Sequence, residues 1–285
     1  MTAETVVGAR GAAGRRRLRT LPWGLVLSLV VLALFLVAAF APAALATHSP
    51  TGQDFANALR PPSWQFWFGT DEAGRDLYSR VVYGTRESLS IGVGAAGLAL
   101  VLAIVFGAAA ALGGRVVSAV VGRIIEVAFA FPILLFALLL VAILGPSAGT
   151  AILAVGLSTA PGYARMVRGQ ILSAKNAGYV EAARALGHGR GRIVRQHILP
   201  NAMRPLIAIF TMSVGQSIVW ASGLSFLGLG VAPPSSEWGA LLDAGRAYLL
   251  QAPWLTFIPG LVILVLALTA TTVGQHVQNR LENGE

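Results

Sequence analysis

The sequence contains no cysteine, a single lysine and only 12 acidic residues among its 285. The absence of cysteine excludes disulfides, iron–sulfur clusters and thiolate zinc sites within the chain. Lys175 does not follow a Gly-x-x-x-x-Gly pattern, which excludes a P-loop nucleotide site. No Ser-His-Asp, Cys-His or paired-carboxylate arrangement is evident, and the four histidines are scattered along the chain. The sequence therefore predicts a chain that is not an enzyme and binds no cofactor itself.

Hydrophobic residues dominate the composition instead. They make up 55% of the chain, charged residues make up 12%, and the mean hydropathy is +0.71. These values lie far outside the soluble globular range and predict an all-α integral membrane protein. The net charge is +9, but the arginines lie beside apolar runs and are not interleaved with aromatic residues. The charge therefore indicates contact with a lipid surface and not with nucleic acid.

Six uncharged apolar runs predict six transmembrane helices. The first, from Leu21 to Ala46, is too long for the apolar core of a signal peptide, which has roughly 7–15 residues. It is long enough to cross roughly 30 Å of hydrocarbon as a helix, so we expect an uncleaved span. The other five predicted spans are residues 88–114, 131–144, 150–164, 205–231 and 253–275.

The basic residues are divided unequally between the two ends of these spans. With six spans and an N-terminus on the inside, sixteen of the 21 lysines and arginines lie in inner segments. Those segments are residues 1–20, 115–123, 165–204 and the C-terminal tail. The positive-inside rule therefore predicts that both termini are cytoplasmic.

A polar island interrupts the apolar pattern between the fourth and fifth spans. Asn176 is a predicted N-cap, residues 177–186 are a predicted short helix, and residues 187–189 supply glycines that end helices in a left-handed turn. A second short helix is expected to begin near Arg190 and to stop at Pro200. Ala182 and Ala183 follow the acidic residue Glu181, and we expect these two small residues to form a face that another surface can approach closely.

The island resembles the cytoplasmic coupling loop in the permease subunits of bacterial ABC importers. The family pattern is Glu-Ala-Ala, three residues, Gly, nine residues, then Ile, any residue and Leu-Pro. His197 stands where the family has Ile. The resemblance implies that this loop docks on a separate ATPase subunit. The matching residues are Glu181, Ala182, Ala183, Gly187, Leu199 and Pro200.

Two further runs resemble the dipeptide, oligopeptide and nickel subgroup of the same family. They are G-T-D-E-A-G-R-D at residues 69–76 and L-S-F-L-G-L-G-V at residues 224–231. The first run also invites interpretation as a metal site, but Asp71, Glu72 and Asp76 lack the alternating spacing of an EF-hand loop. We therefore favour a water-exposed loop or short surface helix at the membrane interface.

The resemblance implies a type I ABC importer permease fold with three regions. Residues 1–85 comprise a cytoplasmic tail, the first span and an outer segment. Residues 86–276 form the transmembrane domain, with the cytoplasmic coupling loop at about 168–205, and residues 277–285 are a cytoplasmic tail.

The implied function is that of one permease subunit of an ATP-driven importer in the bacterial cytoplasmic membrane. The chain is expected to form half of a pathway for di- and oligopeptides, with nickel complexes, glutathione and haem as alternative substrates. The implied partners are a homologous second permease, an extracytoplasmic solute-binding protein and two ATPase subunits that bind ATP and magnesium. An ion-coupled secondary transporter is the competing class, but it usually needs ionisable groups near the membrane midplane, which the predicted spans lack.

Polar residues in the fifth span have two possible roles at this point. Ser213, Gln216 and Ser217 must face other protein or a water path, because the hydrocarbon offers them no hydrogen bonds. Hydrogen bonds between helices and the lining of a translocation pathway explain them equally well.

Overall fold

The computed structural model describes residues 23–282 apart from Pro233, and regular structure in this part of the chain is helical. Its α-helices are α1 (Trp23–Phe40), α2 (Pro42–Leu45), α3 (Leu77–Leu112), α4 (Arg115–Ala130), α5 (Ile133–Leu144), α6 (Ala148–Lys175), α7 (Gly178–Ala185), α8 (Arg190–Ile193), α9 (Leu199–Met203), α10 (Leu206–Leu224), α11 (Trp238–Arg246) and α12 (Trp254–Glu282). The predicted basic tail at residues 1–20 and the last residues of the predicted C-terminal tail lie outside the described residues.

Four helical stretches of the described chain are long and apolar enough to cross a membrane. They are α1, α3, Leu206–Leu229 and Trp254–Leu281. A fifth crossing is made if α4 and α5, which meet at a bend of 90°, count as one broken span. Helix α6 is long enough, but its glycines, hydroxyl residues and Pro161 make it less apolar than the others. The all-helical membrane fold is confirmed, with four or five spans by length and composition.

Helix α3 begins eleven residues before the predicted start of the second span. Asp76 caps its N-terminus by accepting a hydrogen bond from the backbone N–H of Ser79 at 2.9 Å. Its 36 residues correspond to roughly 54 Å at 1.5 Å per residue, well beyond roughly 30 Å of hydrocarbon. Residues 77–87, which precede the predicted span, are therefore helical and make α3 longer than the hydrocarbon requires.

Small residues allow α3 to pack closely against α6 and α10. The α3 residues Ala95, Ala99 and Ala103 are fully buried. A Cβ atom at Gly107 would lie 2.8 Å from the carbonyl oxygen of Ala164 in α6, so only glycine fits there. Close approach through small residues is the usual packing mode of membrane helices. Glycine and alanine in α3 therefore hold the neighbouring helix α6 close to it.

The buried apolar residues form three clusters along the bundle. One joins α3 and α6 to the 176–205 segment. The second surrounds Trp238 between α3, α11 and α12, and the third joins the middle of α3 to α5, α6 and α10. The first cluster positions the polar island against the membrane helices.

Candidate functional site

Helix α7 carries the first half of the recognised motif and follows α6 almost without a linker. Asn176 is the C-cap of α6, with its N–H bonded to the carbonyl oxygen of Leu172 at 3.2 Å. Ala177 occupies the N-cap position of α7, and no side chain caps this end. The prediction of Asn176 as an N-cap is therefore wrong, because α6 extends to Lys175 and Asn176 is its C-cap.

The C-terminus of α7 has the geometry of a Schellman motif. Gly187 has φ of +77°, in the left-handed region. The N–H of His188 donates to the carbonyl oxygen of Ala183 at 3.1 Å, and the N–H of Gly187 donates to that of Arg184 at 2.9 Å. The predicted left-handed turn at Gly187 is confirmed.

The two alanines of the motif differ in burial. Ala183 is only 4% exposed and, with Val180, faces the apolar cluster under the helix. Ala182 and Glu181 are exposed, and Glu181 lies in the first turn, where a carboxylate interacts favourably with the helix dipole. The expected pair of exposed alanines is therefore wrong for Ala183, which fixes the helix in place.

The second half of the motif lies on an arm that does not end at Pro200. Helix α8 runs through a π-helical turn, Val194–Ile198, directly into α9. Pro200 is the second residue of α9 and follows directly on the π-helical turn, so its missing N–H coincides with an irregular stretch of helical hydrogen bonding. The predicted stop at Pro200 is wrong for this reason, and the arm continues to Met203. In this segment Leu199 is half-buried and Pro200 exposed.

Apolar burial fixes the 176–205 segment to the membrane helices. Val180, Ile193 and Ile198 are buried in the same cluster as Val167 and Ile171 of α6. Full burial of one such side chain contributes roughly 1.5–3 kcal/mol, so the three together contribute roughly 5–9 kcal/mol. The 176–205 segment is therefore packed against α6 and is not a loose loop.

A second candidate site is a cavity of about 540 Å³ at the bend between α4 and α5. It is lined by residues 129–133, by one face of α6 and by Gln216 of α10, with no charged residue in its lining. The hydroxyl of Tyr163 in α6 donates to Oε1 of Gln216 at 3.1 Å. This uncharged cavity offers aromatic surface and neutral hydrogen-bonding groups.

The three polar residues predicted in the fifth span lie in two environments. Gln216 is exposed and lines the cavity. Ser213 and Ser217 are 3% and 2% exposed, and the hydroxyl of Ser213 donates to the carbonyl oxygen of Phe210 at 2.8 Å. Tyr163 and Phe129, which also line the cavity, were not found by sequence reasoning. Both lie in stretches where an aromatic residue is unremarkable in a membrane helix.

The acidic 69–76 run is a folded loop in which Asp71 is held by protein partners. Asp71 is 2% exposed and accepts hydrogen bonds from Nε of Arg75 at 2.7 Å and Nη1 of Arg80 in α3 at 2.6 Å. It also accepts two backbone N–H groups at 2.9 Å, those of Ala73 and Arg75. The expectation that the charges need water is therefore wrong for Asp71, whereas Oε2 of Glu72 and Oδ1 of Asp76 have no partner among the described residues. A carboxylate bonded as Asp71 is has few free lone pairs for a metal ion.

Comparison with known proteins places these features in a family. A family model described as "binding-protein-dependent transport system inner membrane component" matches residues 100–283. The dipeptide transport system permease protein DppC of Alkalihalophilus pseudofirmus is 37% identical over 89% of this chain and 83% of its own length. The glutathione transport system permease protein GsiD of Shigella dysenteriae is 36% identical over 94% of this chain and 88% of its own.

Solved structures share the fold. The MetNI methionine ABC transporter in an inward-facing conformation matches with a TM-score of 0.59 and 18% identity, over 71% of this chain and 96% of that chain. An amino acid ABC transporter crystallised with histidines matches with a TM-score of 0.60 and 18% identity, over 71% and 94%. Because the family model covers more than half of the chain and relatives align over most of it, the chain belongs to the binding-protein-dependent transport system inner membrane components, the multi-pass permease subunits of ABC importers.

Proposed function

We propose that this chain is one permease subunit of an ATP-driven importer of di- and oligopeptides. The observation that carries the substrate class is the 37% identity, over about nine tenths of the chain, to dipeptide permeases of several bacteria. Glutathione is the second candidate substrate, favoured by relatives at 36% identity over 94% of the chain. Both substrates are short peptides, so one pathway chemistry serves either.

The coupling role is assigned to the exposed face of α7. Glu181 and Ala182 lie on that face, and Gly187 shapes the turn that ends it. Ala183 supports the helix from below, and Leu199 and Pro200 belong to the arm that returns the chain to α10. In this proposal two separate ATPase subunits bind ATP and magnesium, hydrolyse the ATP and move α7, and this chain performs no catalysis.

The translocation role is assigned to the cavity beside Gln216. Its amide and the hydroxyl of Tyr163 form a polar pair in an uncharged lining that also includes Ser158 and Thr159, which suits transient contact with peptide amide groups. Ser213 and Ser217 support α10 from its packed side. One chain encloses only half of a pathway, so a homologous, non-identical second permease completes it, and a solute-binding protein delivers substrate from outside.

The proposed topology has six spans with both termini in the cytoplasm. Helix α6 is the span that brings the count to six, because its 28 residues reach roughly 42 Å and its buried face packs along α3. The sixteen basic residues in inner segments support this orientation through the positive-inside rule. The 176–205 segment then faces the cytoplasm, where ATP is available.

Reconstitution in vesicles tests the proposal. The chain is combined with its genomically neighbouring permease, ATPases and binding protein, and uptake of labelled dipeptide and glutathione is measured. We expect ATP-dependent uptake that requires the second permease. Glu181→Lys is expected to abolish copurification of the ATPase and uptake, whereas Glu126→Lys, at another exposed acid, leaves both intact. Uptake by this chain with the ATPases alone would refute the heterodimer.

A further inference from the structure

A second cavity lies beside the C-terminal end of the motif-bearing helix. Its volume is about 430 Å³, within the range of roughly 300–1,000 Å³ of small-molecule sites. It lies where the C-terminal ends of α3, α6 and α7 converge on α8. Its lining comprises Leu112, Lys175, Arg184, His188, Arg190, Ile193, Val194 and Ile198.

The charge of this cavity is strongly positive. Lys175, Arg184 and Arg190 contribute three full charges, and no acidic residue lines the cavity. Within residues 23–282, none of the three forms an ion pair. Arg190 donates from Nη2 to the carbonyl oxygen of Leu112 at 3.4 Å, a long contact.

The helix ends do not neutralise this charge. Each helix C-terminus carries roughly −0.5 of an elementary charge, so the three ends that converge here supply roughly −1.5 against three positive side chains. A balance of roughly +1.5 remains before any contribution from histidine. Like charges that share a cavity repel one another, and an anion relieves that repulsion.

Two histidine rings stack at one side of the cavity. The ring of His188, which lines the cavity, stacks on the ring of His197 with centroids 5.8 Å apart and an angle of 17° between planes. Nδ1 of His188 and Nε2 of His197 are buried away from the cavity. The three cations are therefore the groups of the lining that an anion would contact.

We propose that this cavity binds a phosphate group, carried by an anionic lipid headgroup or by free inorganic phosphate. Its cations come from α6, α7 and α8, so an occupant ties the motif-bearing helix to the membrane helix before it. If the proposed topology holds, the cavity lies at the inner membrane surface, where anionic lipids give a negative potential. Occupancy therefore fixes α7 in the position from which it couples.

Thermal unfolding of the purified full-length chain tests the proposal. Inorganic phosphate is expected to raise the unfolding midpoint of the chain by about 3 °C or more at saturation, and chloride at equal ionic strength is not. Lys175→Gln and Arg190→Gln are each expected to weaken phosphate binding about tenfold. Arg192→Gln is the matched control, because Arg192 lies on the same short helix as Arg190 and does not line the cavity.

Vesicles of two compositions distinguish the two possible sources of the phosphate group, a lipid headgroup and free inorganic phosphate. If a lipid is the occupant, phosphatidylglycerol vesicles stabilise the chain relative to phosphatidylcholine vesicles and abolish the response to inorganic phosphate. If free phosphate is the occupant, inorganic phosphate stabilises the chain equally in both. In either case Lys175→Gln raises the concentration needed for the effect about tenfold and Arg192→Gln does not.

Three results would overturn the proposal. The first is an equal rise of the unfolding midpoint with phosphate and with chloride. The second is an equal loss of phosphate binding in Arg192→Gln and Lys175→Gln. The third is a Lys175→Gln chain that no longer copurifies with the ATPase but keeps its response to phosphate. The last result would assign the cavity to a protein partner. The binding assay uses this chain without its partners, so its failure leaves the proposed import function intact, and failure of uptake leaves the anion site intact.

Discussion

Gly187 is the residue whose backbone conformation decides the shape of the turn after α7. Its φ of +77° costs a residue with a side chain roughly 1–2 kcal/mol, and a β-branched residue more. No atom lies within 4 Å of a Cβ placed there, so the penalty is conformational and not steric. We expect Gly187→Val to reach the membrane in normal amount while losing ATPase copurification and uptake, measured on one preparation.

Two variants control this prediction. Gly189→Val introduces the same side chain two residues later, where φ is −65° and no atom is crowded, so full uptake is expected. Gly187→Asn should retain most of the uptake, because asparagine tolerates the left-handed conformation. Equal uptake by the two valine variants would show that the turn geometry does not matter for coupling.

Glu237 is a buried carboxylate at the start of α11. It accepts hydrogen bonds from the backbone N–H groups of Gly239 at 2.9 Å and Ala240 at 2.8 Å. Burial nevertheless raises its pKa above the ordinary value of 4.5, because the charged form is desolvated. The folded state therefore holds this proton more tightly than the unfolded state. The stability that this contributes is full below the unfolded pKa and is lost as the pH rises through the folded pKa.

We expect Glu237→Gln to remove this pH dependence. Its amide cannot ionise, so the wild-type chain should lose stability relative to the variant as the pH rises from about 4. A constant offset is also expected, since the amide has one accepting oxygen and its NH2 group cannot accept the second backbone hydrogen bond. Thermal unfolding across pH measures the difference, with the exposed Glu126→Gln as control. If the difference in unfolding midpoint between the wild-type chain and Glu237→Gln does not change with pH, this account is contradicted.

At the scale of elements, the loop before α3 is held by a buried ion-pair network. Asp71 bonds to Arg75 and Arg80, and Arg80 also donates from Nη2 to the carbonyl oxygen of Ser235 at 2.9 Å. The network thereby joins residues 69–76 to the segment before α11. Its removal should loosen both segments together.

We expect Asp71→Asn to destabilise the chain by about 3–5 kcal/mol, because it leaves the buried guanidinium group of Arg80 without its charge partner, whereas Arg75 keeps its pair with Glu72 at 2.7 Å. The matched control is Glu126→Gln, which breaks the exposed pair with Arg123 at 3.4 Å. That pair, with side chains 79% and 56% exposed, is worth only about 0–1 kcal/mol. Denaturant unfolding of both variants tests the contrast, and similar losses in the two would refute the burial argument.

The sequence predicts elements well where a single local property decides them. Uninterrupted apolar runs identified α1, α10 and α12, and the need for a positive φ identified the turn at Gly187. The start of α3 was missed because its first turns carry charges typical of a loop. Their partners, such as Ser235 for Glu87 at 2.7 Å, lie about 150 residues away in the chain.

The same reason explains which parts of the site could not be predicted. The pair of Tyr163 and Gln216 joins residues 53 positions apart on two helices, and the basic cavity beside α7 joins three helix ends. The inward face of Ala183 depends on the apolar cluster beneath it. Such contacts depend on tertiary packing, which no local spacing encodes.

At the scale of the whole molecule, α6 and the α4–α5 pair decide the topology together. Length and composition allow four or five spans, because α6 is less apolar than the rest and the α4–α5 pair is bent by 90°. If both cross the membrane, the turn between them lies on the same side as the 47–76 segment. If neither crosses, that turn lies on the side of the 176–205 segment.

Single cysteines distinguish these topologies, because the chain contains none of its own. We expect cysteines at Thr51, Gly149 and Leu250, all exposed, to react in intact cells with a membrane-impermeant thiol reagent. A cysteine at Gly189 should react only after the membrane is permeabilised. Gly149 is the informative position, since its Cβ has open space and its side depends on whether α4–α5 crosses. Protection of Gly149→Cys alongside labelling of Thr51→Cys would reduce the fold to four spans and remove α6 from the membrane.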